Sequence, residues 1–452
     1  MGQEINPQTN GFHHHLNGGG PPLPAADLPE LLVLRPGLLY KVFEQEFLAK
    51  FNVLKAFESP LPLDKFLLAH AQSARAILCE AIVTRITADL LLQLPALELV
   101  VADGTGVNHI DLAACRRRGI AVANTGDVFS EDTADYGVGL LIAVLRRLSR
   151  ADAFVRRGSW PVLGEFPLGL KLRGKRVGIV GLGNIGTKLA KRLEAFGCKV
   201  SYNSRTKKQS ARYDFHPTVV DLALHSDILI ICCSLTEKTR HLINDDVLNA
   251  LGMSGILVNI GRGPIVDEKT LVSYLVEGKI AGAAMDVYEN EPNVPSKLFG
   301  LDNVVLSPHR GAFTEEAFGD ALKIVMGNLD AFFSNSPLLT PARVLGKFRA
   351  RIDIGAWNFV FSTDTADYAV GLLIDVMRKI TAADGFVRRG LWPLASEYPL
   401  GFKVGGKRVG IVGLGNIGSK VAKRLAAFGC NIRQTITSLQ LLSMNLPLTP
   451  TS

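Results

Sequence analysis

Apolar residues fall in short runs along this chain, and the stretches between them carry helical spacing. Leu31-Leu32-Val33-Leu34 reads as a first strand, followed by Ala76-Ile77-Leu78-Cys79 and Leu97-Glu98-Leu99-Val100-Val101. The last runs into the turn Gly104-Thr105-Gly106. A helical stretch from Asp132 to Arg150 leads to a second series of runs: Val177 to Val180, Lys199 to Asn203, Asp227 to Cys233, Gly255 to Ile260, Ala281 to Val287 and Val304 to Leu306. Near-continuous apolar runs of this kind suit the buried strands of parallel sheets covered by helices. The alternation predicts an α/β chain with doubly wound sheets. Several runs end in polar residues, at the strand ends where open sheets bind ligands.

One stretch carries specific chemistry. The run ending at Val180 is followed by Gly181-Leu182-Gly183-Asn184-Ile185-Gly186 and then by a helical pattern. Strand, glycine-rich turn and helix together form a dinucleotide-binding fingerprint. Gly181 permits the turn, Gly183 lets the backbone approach a pyrophosphate, and Gly186 allows the helix to pack close to the strand. The helix start favours phosphate charge. An NAD-type site places a carboxylate at the end of the next strand, to bind the ribose 2′-OH. No Asp or Glu lies between Gly197 and Arg212; Ser204, Arg205 and Thr206 stand there instead. A hydroxyl and guanidinium pair suits a 2′-phosphate. NADP(H) is the preferred cofactor on this reading, with NAD(H) possible.

Composition narrows the field. The chain has 452 residues and a net charge of +8, room for two or three domains and a bias toward anionic ligands. The positive residues are spread out, and Arg116-Arg117-Arg118 suits a helix end, so no nucleic-acid partner is expected. Six cysteines show no zinc or redox spacing, which points to a reduced, cytoplasmic protein. No run reaches membrane-spanning length and no secretion signal opens the chain. The first 29 residues are rich in Gly, Pro and Asn and are expected to be a flexible tract. His13-His14-His15 lies within it without further ligands, so no metal site is expected.

The strand ends also carry motifs. Val258-Asn259-Ile260-Gly261-Arg262-Gly263-Pro264, Met285-Asp286-Val287-Tyr288-Glu289-Asn290-Glu291-Pro292 and Ser307-Pro308-His309 resemble the D-isomer-specific 2-hydroxyacid dehydrogenases. The likeness is closest to the plant glyoxylate/hydroxypyruvate and hydroxyphenylpyruvate reductases. It implies two Rossmann-like domains with the active site in the cleft between them. Residues 30–130 with 310–345 would form the substrate-binding domain, and residues 131–309 the NADP-binding domain. The family's catalytic residues match Arg262, Glu291 and His309. Arg262 suits a keto-acid carboxylate, His309 a proton transfer, and Glu291 the support of an imidazolium. The resemblance also implies that Thr105 and Gly106 offer backbone N–H groups to the substrate, and that Ile260 and Asp286 line the nicotinamide side. Asn108 stands where relatives often carry Asp. A small-molecule 2-keto acid substrate and a homodimer follow from the same likeness.

The chain then runs past the family's length. Residues 364–430 repeat 132–198, with most residues identical, including a second Gly413-Leu414-Gly415-Asn416-Ile417-Gly418. No second Ser-Arg-Thr turn, catalytic Arg or His follows. Residues 346–452 thus form a truncated duplicate with an unrelated tail. One strand and two helices bury little by themselves, so the duplicate is expected to leave apolar faces open and to bind no cofactor well. Two expectations compete: a passenger that is dispensable for activity, or a helix that docks on a partner subunit. A dinucleotide-sensing corepressor-like protein and an inactive duplicate are the alternatives to an NADPH-dependent reductase of glyoxylate, hydroxypyruvate or hydroxyphenylpyruvate.

Overall fold

The structure, a computed structural model, describes residues 28–80, 84–342, 360–395 and 398–435. The histidine tract at 13–15 and the tail after residue 435 lie outside the described residues.

Two parallel sheets organise the chain. The first contains β1 (Glu30–Val33), β2 (Asn52–Lys55), β3 (Ala76–Cys79), β4 (Leu99–Ala102) and β5 (Ala121–Ala123), in the order β2-β1-β3-β4-β5. The second contains β6 (Arg176–Val180), β7 (Lys199–Asn203), β8 (Asp214–Phe215), β9 (Ile228–Ile231), β10 (Ile256–Asn259), β11 (Gly282–Met285) and β12 (Val304–Leu306). Its order is β12-β11-β10-β9-β6-β7-β8. The chain reverses direction across the sheet between β6 and β9, the switch point at which such sheets bind dinucleotides. Strands β2, β5 and β8 are not among the sequence-read runs. They are short edge elements with weak apolar patterning.

Burial follows the layers. Helix Glu315–Phe333 crosses back to the first sheet, where Phe318, Ala321, Val325 and Leu329 pack with Leu31, Val33, Leu99 and Val101. On one face of the second sheet, helix Asn184–Ala195 sets Leu189, Leu193 and Phe196 against Val177 and Ile179. Leu222, Val247, Leu248 and Leu271 cover the other face. The stretch expected as one helix from Asp132 to Arg150 is two, Ser130–Arg146 and Leu148–Arg156. They part at Arg147, whose left-handed backbone (φ 54°) ends the first helix.

The duplicate forms helices Val360–Arg378, Ile380–Arg388 and Asn416–Ala427 and a two-stranded sheet of β13 (Arg408–Val412) and β14 (Asn431–Thr435). The expectation of open helix faces is corrected here. Val370, Ile374 and Ile380 are wholly buried in one cluster with Leu140, Ile142 and Phe196 of the first copy. The first copy supplies the apolar cover that the fragment lacks. No described helix is long and apolar enough to cross a membrane.

Candidate active site

The glycine turn is built as the fingerprint requires. Gly181 has φ 105°, and a Cβ there would meet the Cys233 backbone at 2.7 Å. A Cβ on Gly186 would sit 2.1 Å from the Gly181 carbonyl, so the helix start can approach the turn only with glycine. Gly183 has open space around it. That exposed opening, at the start of a twelve-residue helix, fits a dinucleotide pyrophosphate. Leu182 is buried in the core, Ile185 is half-buried, and Asn184 is exposed at the mouth.

The end of β7 is tied to this turn, since Gly181 N–H donates to the Asn203 carbonyl at 2.9 Å. Ser204 Oγ donates to the Thr206 carbonyl at 2.7 Å and closes the next turn. Arg205 and Thr206 are exposed, and the Arg205 guanidinium has no partner among the described residues. A cavity of about 320 Å³ opens beside this turn, lined by Asn203, Pro217, Thr218, Leu242, Asn244 and Val247. It includes neither His309 nor Arg262.

The acid–base groups meet at the ends of β10, β11 and β12. His309 Nδ1 lies 2.8 Å from Glu291 Oε2, and both side chains are more than four-fifths buried. An ionised carboxylate only accepts, so Nδ1 carries the hydrogen and Nε2 is left to face a ligand. Burial is the largest single influence on His309 and works to lower its pKa, but the charge and hydrogen bond of Glu291 outweigh it, so the net shift is upward. Burial also works to raise Glu291, and His309, the Tyr288 N–H and Arg262 together bring it below its ordinary value. The His309 ring stacks on Phe313 with centroids 6.5 Å apart and planes 9° apart.

Arg262 reaches across from the second sheet to the first. Its Nη1 donates to the Gly261 carbonyl at 2.6 Å, and its Nε approaches Asn108 Oδ1 at 3.4 Å. A Cβ on Gly106 would lie 2.3 Å from Nη2, so the guanidinium rests against the backbone at Gly106. Burial lowers the Arg262 pKa, and Glu291 and Asp286 oppose that. The Thr105 and Gly106 N–H groups donate to no partner among the described residues.

Asp286 and Ile260 are placed differently from Arg262 and His309. Asp286 is 2% exposed, and its oxygens accept from Ser307 Oγ (2.5 Å), Arg310 N–H (2.6 Å) and Gly311 N–H (2.8 Å). It thereby fixes the loop carrying His309. Ile260 is buried against Gly137 of helix Ser130–Arg146. Sequence reading gave Ser307 only as part of the His309 motif and did not single out Tyr136 or Phe313. Tyr136 Oη pairs with Ser307 Oγ at 2.8 Å, joining the helix to the same loop. Nothing in the local sequence marks Tyr136 or Phe313, and the role of Ser307 depends on a partner far along the chain.

Paired parallel sheets of these orders, with the fingerprint turn at one and Arg262, Glu291 and His309 facing the other, define a nicotinamide-dinucleotide dehydrogenase acting on small acids. The family pattern described as D-isomer specific 2-hydroxyacid dehydrogenase, NAD binding domain, matches residues 138–311 and again 370–443. The chain belongs to the D-isomer-specific 2-hydroxyacid dehydrogenases and is an NAD(P)-dependent oxidoreductase. It is 48% identical over 323 residues to a glyoxylate/hydroxypyruvate reductase of Arabidopsis thaliana, covering 71% of this chain and 99% of that protein. It is 49% identical over 298 residues to the hydroxyphenylpyruvate reductase of Plectranthus scutellarioides, covering 66% of this chain and 94% of that protein. Among solved structures, an NADPH-dependent glyoxylate/hydroxypyruvate reductase of Sinorhizobium meliloti, in complex with NADP and malonate, superposes with a TM-score of 0.65 at 38% identity, over 70% of this chain and 96% of that one.

Proposed function

We propose that the chain reduces a small 2-keto acid, of the glyoxylate, hydroxypyruvate or hydroxyphenylpyruvate type, to the D-2-hydroxy acid, with NADPH as the preferred reductant. The observation that carries this reading is the His309–Glu291 pair at 2.8 Å beside a guanidinium that rests on the Gly106 backbone. Arg262 binds and orients the substrate carboxylate, joined by the Thr105 and Gly106 N–H groups. The bound nicotinamide supplies the hydride. His309 holds a proton at Nε2 and delivers it to the carbonyl oxygen as negative charge builds there. Glu291 keeps the imidazole charged and correctly turned until that transfer. Ile260 and Asp286 shape the nicotinamide side, Asp286 by holding the His309 loop. Gly181, Leu182, Gly183, Asn184, Ile185 and Gly186 hold the pyrophosphate, and Ser204, Arg205 and Thr206 receive the 2′-phosphate. In this reading residues 131–309 carry the cofactor, and residues 30–130 with the helix after His309 carry the substrate.

Oxidation of NADPH by the purified full chain, followed with each keto acid in turn, tests the proposal. Turnover with at least one is expected, and none in folded protein would overturn it. Arg205→Asp places a carboxylate where a phosphate is expected. Loss of a charge-assisted hydrogen bond is worth about 1.5–3 kcal/mol, so KM for NADPH is expected to rise roughly 10- to 100-fold. KM for NADH should change little. Equal losses for both cofactors would show that Arg205 does not read the 2′-phosphate.

A further inference from the structure

The two copies meet through contacts that are reciprocal. Phe196 and its copy Phe428 touch each other, edge to face, with centroids 6.3 Å apart. Arg192 lies over the Phe428 ring at 5.2 Å, and Arg424, the copy of Arg192, lies over Phe196 at 5.2 Å. Arg146 covers Tyr368 at 4.8 Å while Arg378 covers Tyr136 at 4.9 Å. Arg146 Nη1 donates to the Asp364 carbonyl at 3.2 Å, and Arg378 Nη1 donates to the Asp132 carbonyl at 2.8 Å. A Cβ on Gly139 would strike Ile374 at 2.6 Å, and one on Gly371 would strike Ile142 at 2.3 Å. Each residue i meets the copy of j, and j meets the copy of i. That pattern defines a two-fold, self-complementary interface. Its two halves share most of their sequence, so residues 130–198 of two separate chains could form it too.

One half of the contact pattern is missing, and the reason is visible. In the duplicate, Val387 and Trp392 are 1% and 5% exposed against the β12 side of the second sheet. Arg388 donates there to the carbonyls of Phe299 (2.7 Å) and Leu301 (3.1 Å), and Leu306 N–H donates to Asp384 at 2.8 Å. The matching residues of the first copy, Val155 and Trp160, are 55% and 64% exposed. The described part of the duplicate ends at β14, before any copy of β9 to β12, so Val155 and Trp160 find no counterpart of the β12 side to cover them.

We propose that residues 360–435 occupy, within the same chain, the two-fold face of residues 130–198 that otherwise pairs with a second copy of this protein. The full chain is therefore monomeric at that face. A tethered segment competes at an effective concentration of about millimolar, which a free second chain rarely matches. The homodimer implied by family resemblance would use a face that is already filled. The duplicate also serves the neighbouring site: Arg378 Nη2 donates to the carbonyls of Arg310 (3.2 Å) and Gly311 (3.0 Å), directly after His309.

Light scattering on the full chain tests this. The expected mass is that of one chain, 48.8 kDa. Gly371→Trp with Ile374→Asp, confined to the duplicate, should expel it and double the mass, as two first copies pair. A dimeric wild type, or a variant that stays monomeric and folded by circular dichroism, would overturn the proposal. Hydrogen exchange on the unaltered chain gives a second test. Amides of Ser130–Arg146 and Val360–Arg378 should stay equally protected on hundredfold dilution, and protection that fades on dilution would also overturn it.

Discussion

The two copies of the glycine-turn unit share most of their sequence and have opposite surroundings. Val180 is 1% exposed and its copy Val412 is 88% exposed. β6 has strands on both sides, whereas β13 pairs only with β14. The arms reverse the contrast: Trp160 is exposed and Trp392 buried, and the Arg156–Asp152 ion pair faces water while Arg388–Asp384 is covered. Yet the turns are alike. Gly413 has φ 87°, and a Cβ on Gly418 would sit 2.1 Å from the Gly413 carbonyl, as at Gly186. A correct turn is thus not a site. Behind Gly181 stands the Cys233 backbone; a Cβ on Gly413 would meet nothing within 4 Å.

The largest effect should come from a catalytic group that has no second copy. His309→Asn removes the proton donor, and kcat should fall about 10²- to 10⁴-fold while NADPH affinity persists. Residual turnover near wild type would mean that chemistry also occurs elsewhere, and the contrast between the copies would fail. Next come paired glycine substitutions. Gly181→Val forces a β-branched side chain into the Cys233 backbone at a left-handed position, with strain of about 3 kcal/mol, or roughly 100-fold in cofactor affinity. Gly413→Val has the same strained backbone, but the cavity of about 440 Å³ beside that turn has neither a Ser-Arg-Thr turn nor a catalytic Arg or His to complete it, so NADPH affinity measured by fluorescence should not move. Equal losses would make the second turn a working site.

Paired tryptophan substitutions probe the arms. Trp392→Ala empties a buried position and should cost about 3–5 kcal/mol in denaturant unfolding. Trp160→Ala should stay within about 0.5 kcal/mol, as exposed changes do. A smaller and subtler shift is expected in the pH profile. Reduction needs protonated His309, so activity should fall as pH rises through a pKa held above imidazole's ordinary value. Glu291→Gln removes the charge that raises it, so the alkaline fall should move to lower pH. A profile that stays in place would make Glu291 a structural neighbour only.

Much of the candidate site was legible because it depends on short motifs. Arg262, Glu291 and His309 each follow a recognisable strand end, and the strand order of an α/β sheet brings those ends together. The Ser204-Arg205-Thr206 turn was visible as a missing carboxylate. The support beneath these groups was not legible. Tyr136 and Phe313 matter through contacts such as the Tyr136–Ser307 bond, which joins residues far apart in the chain. The break at Arg147 was also missed, since the apolar spacing continues through it.

What the sequence determined by itself is whatever a few neighbouring residues decide. Both glycine turns, both helix starts and the left-handed ends at Arg147 and Lys379 recur in the two copies, because backbone sterics act over a few positions. What only the tertiary structure decided is burial. Burial depends on surfaces brought from far along the chain, and each copy meets a different set: the first has a full sheet behind it, and the second has the first copy itself. The same valine is core in one place and surface in the other for that reason alone.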